Sequence, residues 1–247
     1  IRCSYLLAAV VSAVQVAYQL ALCSESHPKA ERRPFSIAGL NPLGFLKLFN
    51  PGTPTALKKL VLVASLQSFL EGKNVVDMVQ IWQRQHLKWD VLKMRDFTVT
   101  YGCYAFVAGQ LLTPFLLKIS SARAFTTFAN LTNATGFIMR GWAENPLIFW
   151  LAIIPMLPGV NGSSASAMKA IASDHALAAG FGAGEYSGYF NNLRALVGAA
   201  ASLMYGATYS VCIRRGLHPG IPFWVGGLMG AVLPELIHRT LSTREIR

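Results

Sequence analysis

The chain has 247 residues, of which 53% are hydrophobic and 13% charged, with a mean hydropathy of +0.41 and a formal charge of +11. An ordinary soluble domain carries about 25% charged residues, so this composition places the chain among integral membrane proteins and excludes a solvated enzyme domain. The Lys and Arg excess fits basic membrane loops rather than a nucleic-acid surface, because no basic run is interleaved with exposed aromatics.

Seven apolar runs approach the ~20 residues that a helix needs to cross a bilayer. The first, 4–22, is followed by a connector over 24–59 that holds "SESHPKAERRPF" and "LNPLGFLKLFNPGTP". Its Pro and Gly content marks a linker, and "GFLKLF" is expected to form a short interfacial helix. The remaining spans, within a six-helix bundle over 60–247, are expected at 60–82, 97–117, 124–139, 147–168, 189–213 and 221–237. Residues 1–23 then form a separate first transmembrane helix. The chain opens on Ile1 rather than Met, so further chain is expected upstream. On the connector side of the membrane lie 12 of the 22 Lys and Arg, against 8 on the other side. The connector side is expected to face the cytoplasm or its organellar equivalent.

Within 60–82, "FLEGKNVVDMVQIW" places three ionisable groups where charge is costly. From a helix start at Leu60, Glu71 lies about 16 Å into a core about 30 Å thick. On an unbroken helix Lys73 and Asp77 share a face and form an i, i+4 ion pair, and Glu71 points away from both. A solitary carboxylate at that depth is protonated or paired across helices, and it is a candidate proton or substrate group.

The span at 124–139 is short and polar. Its Asn130 and Asn133, three residues apart, share a face that needs a partner in lipid. The next span is interrupted by Pro155, Pro158 and Gly159 and is followed by Asn161, Ser163 and Ser164. Prolines free backbone carbonyls, which only protein or a water-lined cavity can satisfy, so this span is expected to face a polar cavity or another helix. Gly184, Gly188, Gly198 and Gly206, with small residues between them, are expected to pack closely against a neighbouring helix. Arg194 is expected to anchor a loop through Glu185 or Asp174. Cys3, Cys23, Cys103 and Cys212 lie far apart in apolar surroundings and are expected to be buried thiols with no metal role. No paired carboxylates, nucleophile–base arrangement or phosphate loop stands at a usable spacing, so neither catalysis nor a required cofactor is expected.

Four stretches, in order, resemble a known family. "ESHPKAERRPFSIAGLNPLGFLK" resembles the central loop between the two six-helix halves of major facilitator superfamily transporters of the tetracycline-antiporter-like branch, which includes the hippocampus-abundant-transcript proteins. "FLEGKNVVDMVQIWQRQHLKWD" resembles their seventh helix and the loop after it. "NATGFIMRGWAENPLIFW" resembles the ninth helix and its turn. "GEYSGYFNNLRALVGAAASLMYG" resembles the connection from the tenth helix to the eleventh, matching at Gly184, Gly188, Arg194, Tyr205 and Gly206. The resemblance covers nearly the whole chain as helices six to twelve.

It implies an all-α polytopic bundle that is half of a transporter. Glu71, Asn130, Asn133 and Asn161 would line the path of a drug/proton antiporter-like protein, and an N-terminal half would cover the polar face. The departures point to a second class. Ala201-Ser202 stands where the family often has Gly-Pro, and "LLKISSARAF" keeps only Arg123 of the loop signature. On that view the chain is a non-transporting accessory subunit of a larger photosynthetic or respiratory membrane complex, surrounded by membrane lipids and neighbouring subunits, with lipid or pigment bound.

Overall fold

The computed structural model describes residues 2–22, 41–69 and 75–241, and the side chains of residues 2–5 and of Asn161 lie outside that description. Every regular element among the described residues is a helix. The chain divides into two units, residues 1–41 and 42–247.

The first unit contains helix α1, Arg2–Leu22, apolar from Leu6 to Leu22. The second unit begins earlier than the expected boundary at 60. "GFLKLF" forms a 3-10 helix, Gly44–Phe49, whose Phe45 and Leu48 are buried in the same core as Leu57 and Leu60. Thr53 Oγ1 donates to the Lys47 carbonyl across 3.0 Å and fixes the turn that follows. Leu46 and Phe49 stay exposed. The expected short helix is therefore present and is docked on the bundle by one face, because it carries apolar residues on both.

Helix α2 is Thr55–Phe69 and α3 is Val76–Gln85. Helix α4 runs Val91–Ile119, started by Asp90, whose carboxylate accepts from the Lys93 backbone N–H at 2.8 Å. It is wound as π-helix from Ala108 to Leu112. Pro114 accounts for the wider turn: it has no N–H for the Gln110 carbonyl, and its ring crowds that oxygen. Helix α5 is Ala122–Gly141, and α6 is the broken run Pro146–Ala178. Asn145 caps α6 by accepting from the Leu147 N–H, and Pro146 occupies the first turn, where no donor is needed. Past Pro155 the chain tightens to 3-10 helix at Leu157–Gly162 and restarts at Ser163 from Gly162, whose φ of +69° suits glycine. Helix α7 is Ala183–Arg214 and α8 is Ile221–His238.

Four of these, α4, α6, α7 and α8, are long and apolar enough to cross a membrane. The polar helix α5 lies among them. Its most extensive partner is α8, and it also packs on the broken part of α6. The polar face of 124–139 thus has its partner within the bundle.

The five tryptophans gather at one end: Trp82 and Trp89 around the α3–α4 connection, Trp142 and Trp150 around the α5–α6 turn, and Trp224 at the start of α8. Trp89 and Trp150 lie 6.3 Å apart by ring centroid, and Trp142 and Trp224 lie 5.8 Å apart. Exposed indoles favour the headgroup level of a bilayer; of these five Trp142 is exposed, while Trp82 and Trp89 are buried in the bundle. The opposite end is tied by polar contacts. Glu235 accepts from Thr127 Oγ1 at 3.0 Å and from Arg239 Nε at 3.3 Å, and Lys59 Nζ donates to the Thr240 carbonyl at 2.9 Å.

Candidate functional site

The irregular backbone of the bundle is concentrated where α4, α5 and α6 meet. The π-helical turn 108–112 of α4 packs against the 3-10 segment 157–162 of α6, with Ala105, Ala108 and Val160 buried together. From α5, Asn133 Nδ2 donates to the Gly159 carbonyl at 3.4 Å. A Cβ on Gly159 would overlap the Asn133 amide, so glycine is required for this approach. Ser163 Oγ donates to the Pro158 carbonyl at 3.1 Å. Two carbonyls of the 3-10 segment, those of Pro158 and Gly159, are thus met by side chains, and the Ile154 carbonyl, which Pro158 leaves without its helical donor, accepts from the Leu157 N–H. Asn133 stands 11 residues into the 20-residue α5, about 17 Å along it and near its middle. Asn130, one turn earlier, is buried on the same helix. The buried hydroxyl of Thr113, just after the π turn, has no hydrogen-bond partner among the described residues. Two irregular helices and a polar one therefore meet near the mid-length of α5.

A second polar feature lies at the tryptophan end. Arg140, in the last turn of α5, is 3% exposed. Its guanidinium faces three rings, Phe149 at 5.4 Å, Tyr101 at 5.6 Å and Phe97 at 5.9 Å, and its Nε has no acceptor among the described residues. No carboxylate pairs with it among the described residues, so the attraction of the ring faces offsets part of its desolvation. Nearby, the Tyr209 hydroxyl donates to Gln85 Oε1 at 2.7 Å and lies 3.3 Å from His86 Nε2. Burial, then the charge of Lys88 and then that of His218 hold the His86 imidazole below its ordinary 6.5.

Of the residues singled out from the sequence, Glu71 and Lys73 lie outside the described residues, as does the Asn161 side chain, so the Lys73–Asp77 pair lies outside them too. Asp77 is exposed in the first turn of α3. Asn133 joins the helix break, which sets its amide to satisfying backbone. Glu185, one of two carboxylates offered to Arg194, accepts from the Tyr189 hydroxyl at 2.8 Å and lies 3.9 Å from Lys47 Nζ, which arrives from the docked 3-10 helix.

The glycine expectation needs correction. Gly184, Gly188 and Gly206 are exposed, with no described atom within 4 Å of where a Cβ would stand, and Gly198 is half-buried. The close helix contacts are made elsewhere. Gly226 and Gly227 of α8 receive Tyr205 and Ala134, and Gly141 meets Gly220 backbone to backbone. Spacing along one helix does not say which face meets a neighbour. Cys103 is likewise exposed, on the outer face of α4, while Cys212 is buried.

Sequence reasoning also passed over Arg140, which was counted as loop charge. The available signal was its place at the end of a polar helix just before Gly141-Trp142.

Comparison of the chain with protein-family models, with curated proteins and with solved structures gives no match.

Proposed function

We propose that the chain is the membrane-embedded half of a facilitator-type small-molecule transporter, similar to helices six to twelve of the tetracycline-antiporter-like branch. The observation that carries this reading is the junction of the π turn of α4, the 3-10 break of α6 and Asn133, near the mid-length of α5. Discontinuous helices at the midplane are where secondary transporters place substrate and coupling-ion sites, because half-helix ends and freed carbonyls supply polar groups there. Asn130, Asn133 and Asn161 then belong to the path or its support, Glu71 carries the coupled proton, and an N-terminal half closes the cavity.

The test is uptake by the full-length protein in sealed vesicles under a pH gradient, followed by tetracycline fluorescence. Wild type is expected to accumulate the probe only with the gradient imposed, and Glu71→Gln to abolish the pH dependence. Unchanged uptake by that variant removes Glu71 from the site.

One observation favours the second reading, a non-transporting accessory subunit of a larger membrane complex. Gly184, Gly188, Ala195, Ala199 and Gly206 form an outward stripe of small residues along α7. Such a stripe admits a foreign helix closely. No gradient-driven uptake, together with membrane subunits co-purifying in fixed ratio from native membrane, would decide for that reading.

A further inference from the structure

The tryptophan end holds a cavity of about 310 Å³ lined by Trp89, Lys93, Asp96, Pro146 and Trp150. It opens beside the first two turns of α4 and the first turn of α6, at the end of the bundle where the exposed indole of Trp142 suits the headgroup level. Its lining has one cation, one carboxylate and two indoles.

The two indoles are held in place from behind. Trp89 is 6% exposed and packs on Phe97 at 5.5 Å and edge-on to Phe149 at 5.7 Å, and its backbone N–H donates to the Gln83 carbonyl at 3.0 Å. Trp150 packs on Phe97 at 5.0 Å. The planes of Trp89 and Trp150 are inclined by 39°, an open V rather than a stack. The buried Arg140 is turned to Phe97, Tyr101 and Phe149 and not to either indole; Trp150 is half-buried and offers the open ring face, and Trp89 backs the cavity. Asp96 takes both of its hydrogen bonds, from Arg95 Nε and Nη2, on Oδ1.

We propose that this cavity binds the zwitterionic headgroup of a choline phospholipid, with the phosphate on the Lys93 ammonium and the quaternary ammonium against the Trp89–Trp150 pair and Asp96. Paired aromatic faces beside a carboxylate are how proteins hold quaternary ammonium groups, which cannot donate hydrogen bonds and bind through charge and ring quadrupole. The lining offers one positive and one negative group, which matches a zwitterion better than a singly anionic headgroup. The location matters equally, since the acyl chains of a lipid held here run beside the exposed apolar face of α4, including Val99 and Phe106. The site serves either reading of the function above.

The test uses the full-length protein in nanodiscs of equal phosphatidylcholine and phosphatidylglycerol, with retained lipid counted by native mass spectrometry. Retention of phosphatidylcholine is expected to exceed that of phosphatidylglycerol by about fivefold. Trp150→Leu and Asp96→Asn are expected to erase that preference, and Lys93→Gln to lower retention of both lipids. Equal or reversed retention by wild type, or a preference unchanged in both Trp150→Leu and Asp96→Asn, overturns the assignment. Asp96 is exposed, so Asp96→Asn leaves the core packing untouched and separates headgroup recognition from misfolding.

Discussion

Asn133 of α5 donates to the carbonyl of Gly159 in the broken part of α6, across 3.4 Å. This contact couples the polar helix to the broken part of α6: the 3-10 segment sends the Ser163 N–H to the Val160 carbonyl, and the polar helix supplies a donor to the Gly159 carbonyl. The bond is long, so its net value is at the lower end of about 0.5–1.5 kcal/mol, and the close packing around Gly159 contributes more.

Gly159→Ala is accordingly expected to destabilise the bundle by about 1–3 kcal/mol through overpacking. Asn133→Ala removes the group that the new methyl meets. The double variant is therefore expected to cost less than the sum of the two singles, by at least about 0.5 kcal/mol. Thermal unfolding of the four proteins in one detergent measures this, and strict additivity would disconnect the two residues.

The corrected glycine assignment gives a paired test. Gly220→Ala drives a Cβ into the Gly141 backbone, which cannot move as a side-chain tip can. A loss of about 1–3 kcal/mol is expected. Gly206→Ala enters open space on α7 and is expected to leave stability unchanged or slightly improved, since Ala is the better helix former by about 1 kcal/mol. A costly Gly206→Ala in the isolated protein would restore the contact expected there from the sequence.

His86 makes a pH prediction whose sign follows from its depressed value. The unfolded chain takes up the proton near 6.5, while burial, Lys88 and His218 hold the folded imidazole neutral to lower pH. The stability from neutral His86 is complete above about 6.5 and is lost as pH falls through the folded value. Melting curves from pH 8 to 5 are expected to drop more steeply for wild type than for His86→Gln. Parallel curves would show that His86 contributes no pH dependence.

Arg140 is a cation held by rings rather than by a carboxylate. Replacement of a buried charge by an apolar side chain of similar length is often neutral or stabilising. Arg140→Met is expected to melt within about 1 kcal/mol of wild type, whereas Arg140→Ala is expected to lose about 2–4 kcal/mol because the aromatic cluster is left around a void. If Arg140→Met instead unfolds the protein, the guanidinium has a partner that the described residues do not include.

Much of the helical layout could be read in the sequence because lipid makes its demands locally. Apolar runs place α1, α4, α7 and α8, Pro155 and Pro158 place the break in α6, and "GFLKLF" forms its short helix. The polarity of Asn133 called for a partner, but only packing could name Gly159. The π turn is set by Pro114 together with the close approach of Val160, a neighbour 50 positions along the chain. The Arg140 cage needs Phe97, Tyr101 and Phe149 from two other helices, and no periodicity brings these together. For the glycines of α7, the small-residue pattern was visible, but the side of the helix that meets a neighbour was not.

The membrane-spanning arrangement itself has a direct test. In a variant with its native cysteines replaced, single cysteines at Lys93 and Lys118 mark the two ends of α4, 25 residues and about 38 Å apart. In sealed, uniformly oriented vesicles, a membrane-impermeant maleimide is expected to label one position from outside and the other only after the vesicles are opened. Labelling of both positions from the same side would contradict a bundle that crosses the bilayer, and with it the placement of the Asn133–Gly159 junction at mid-depth.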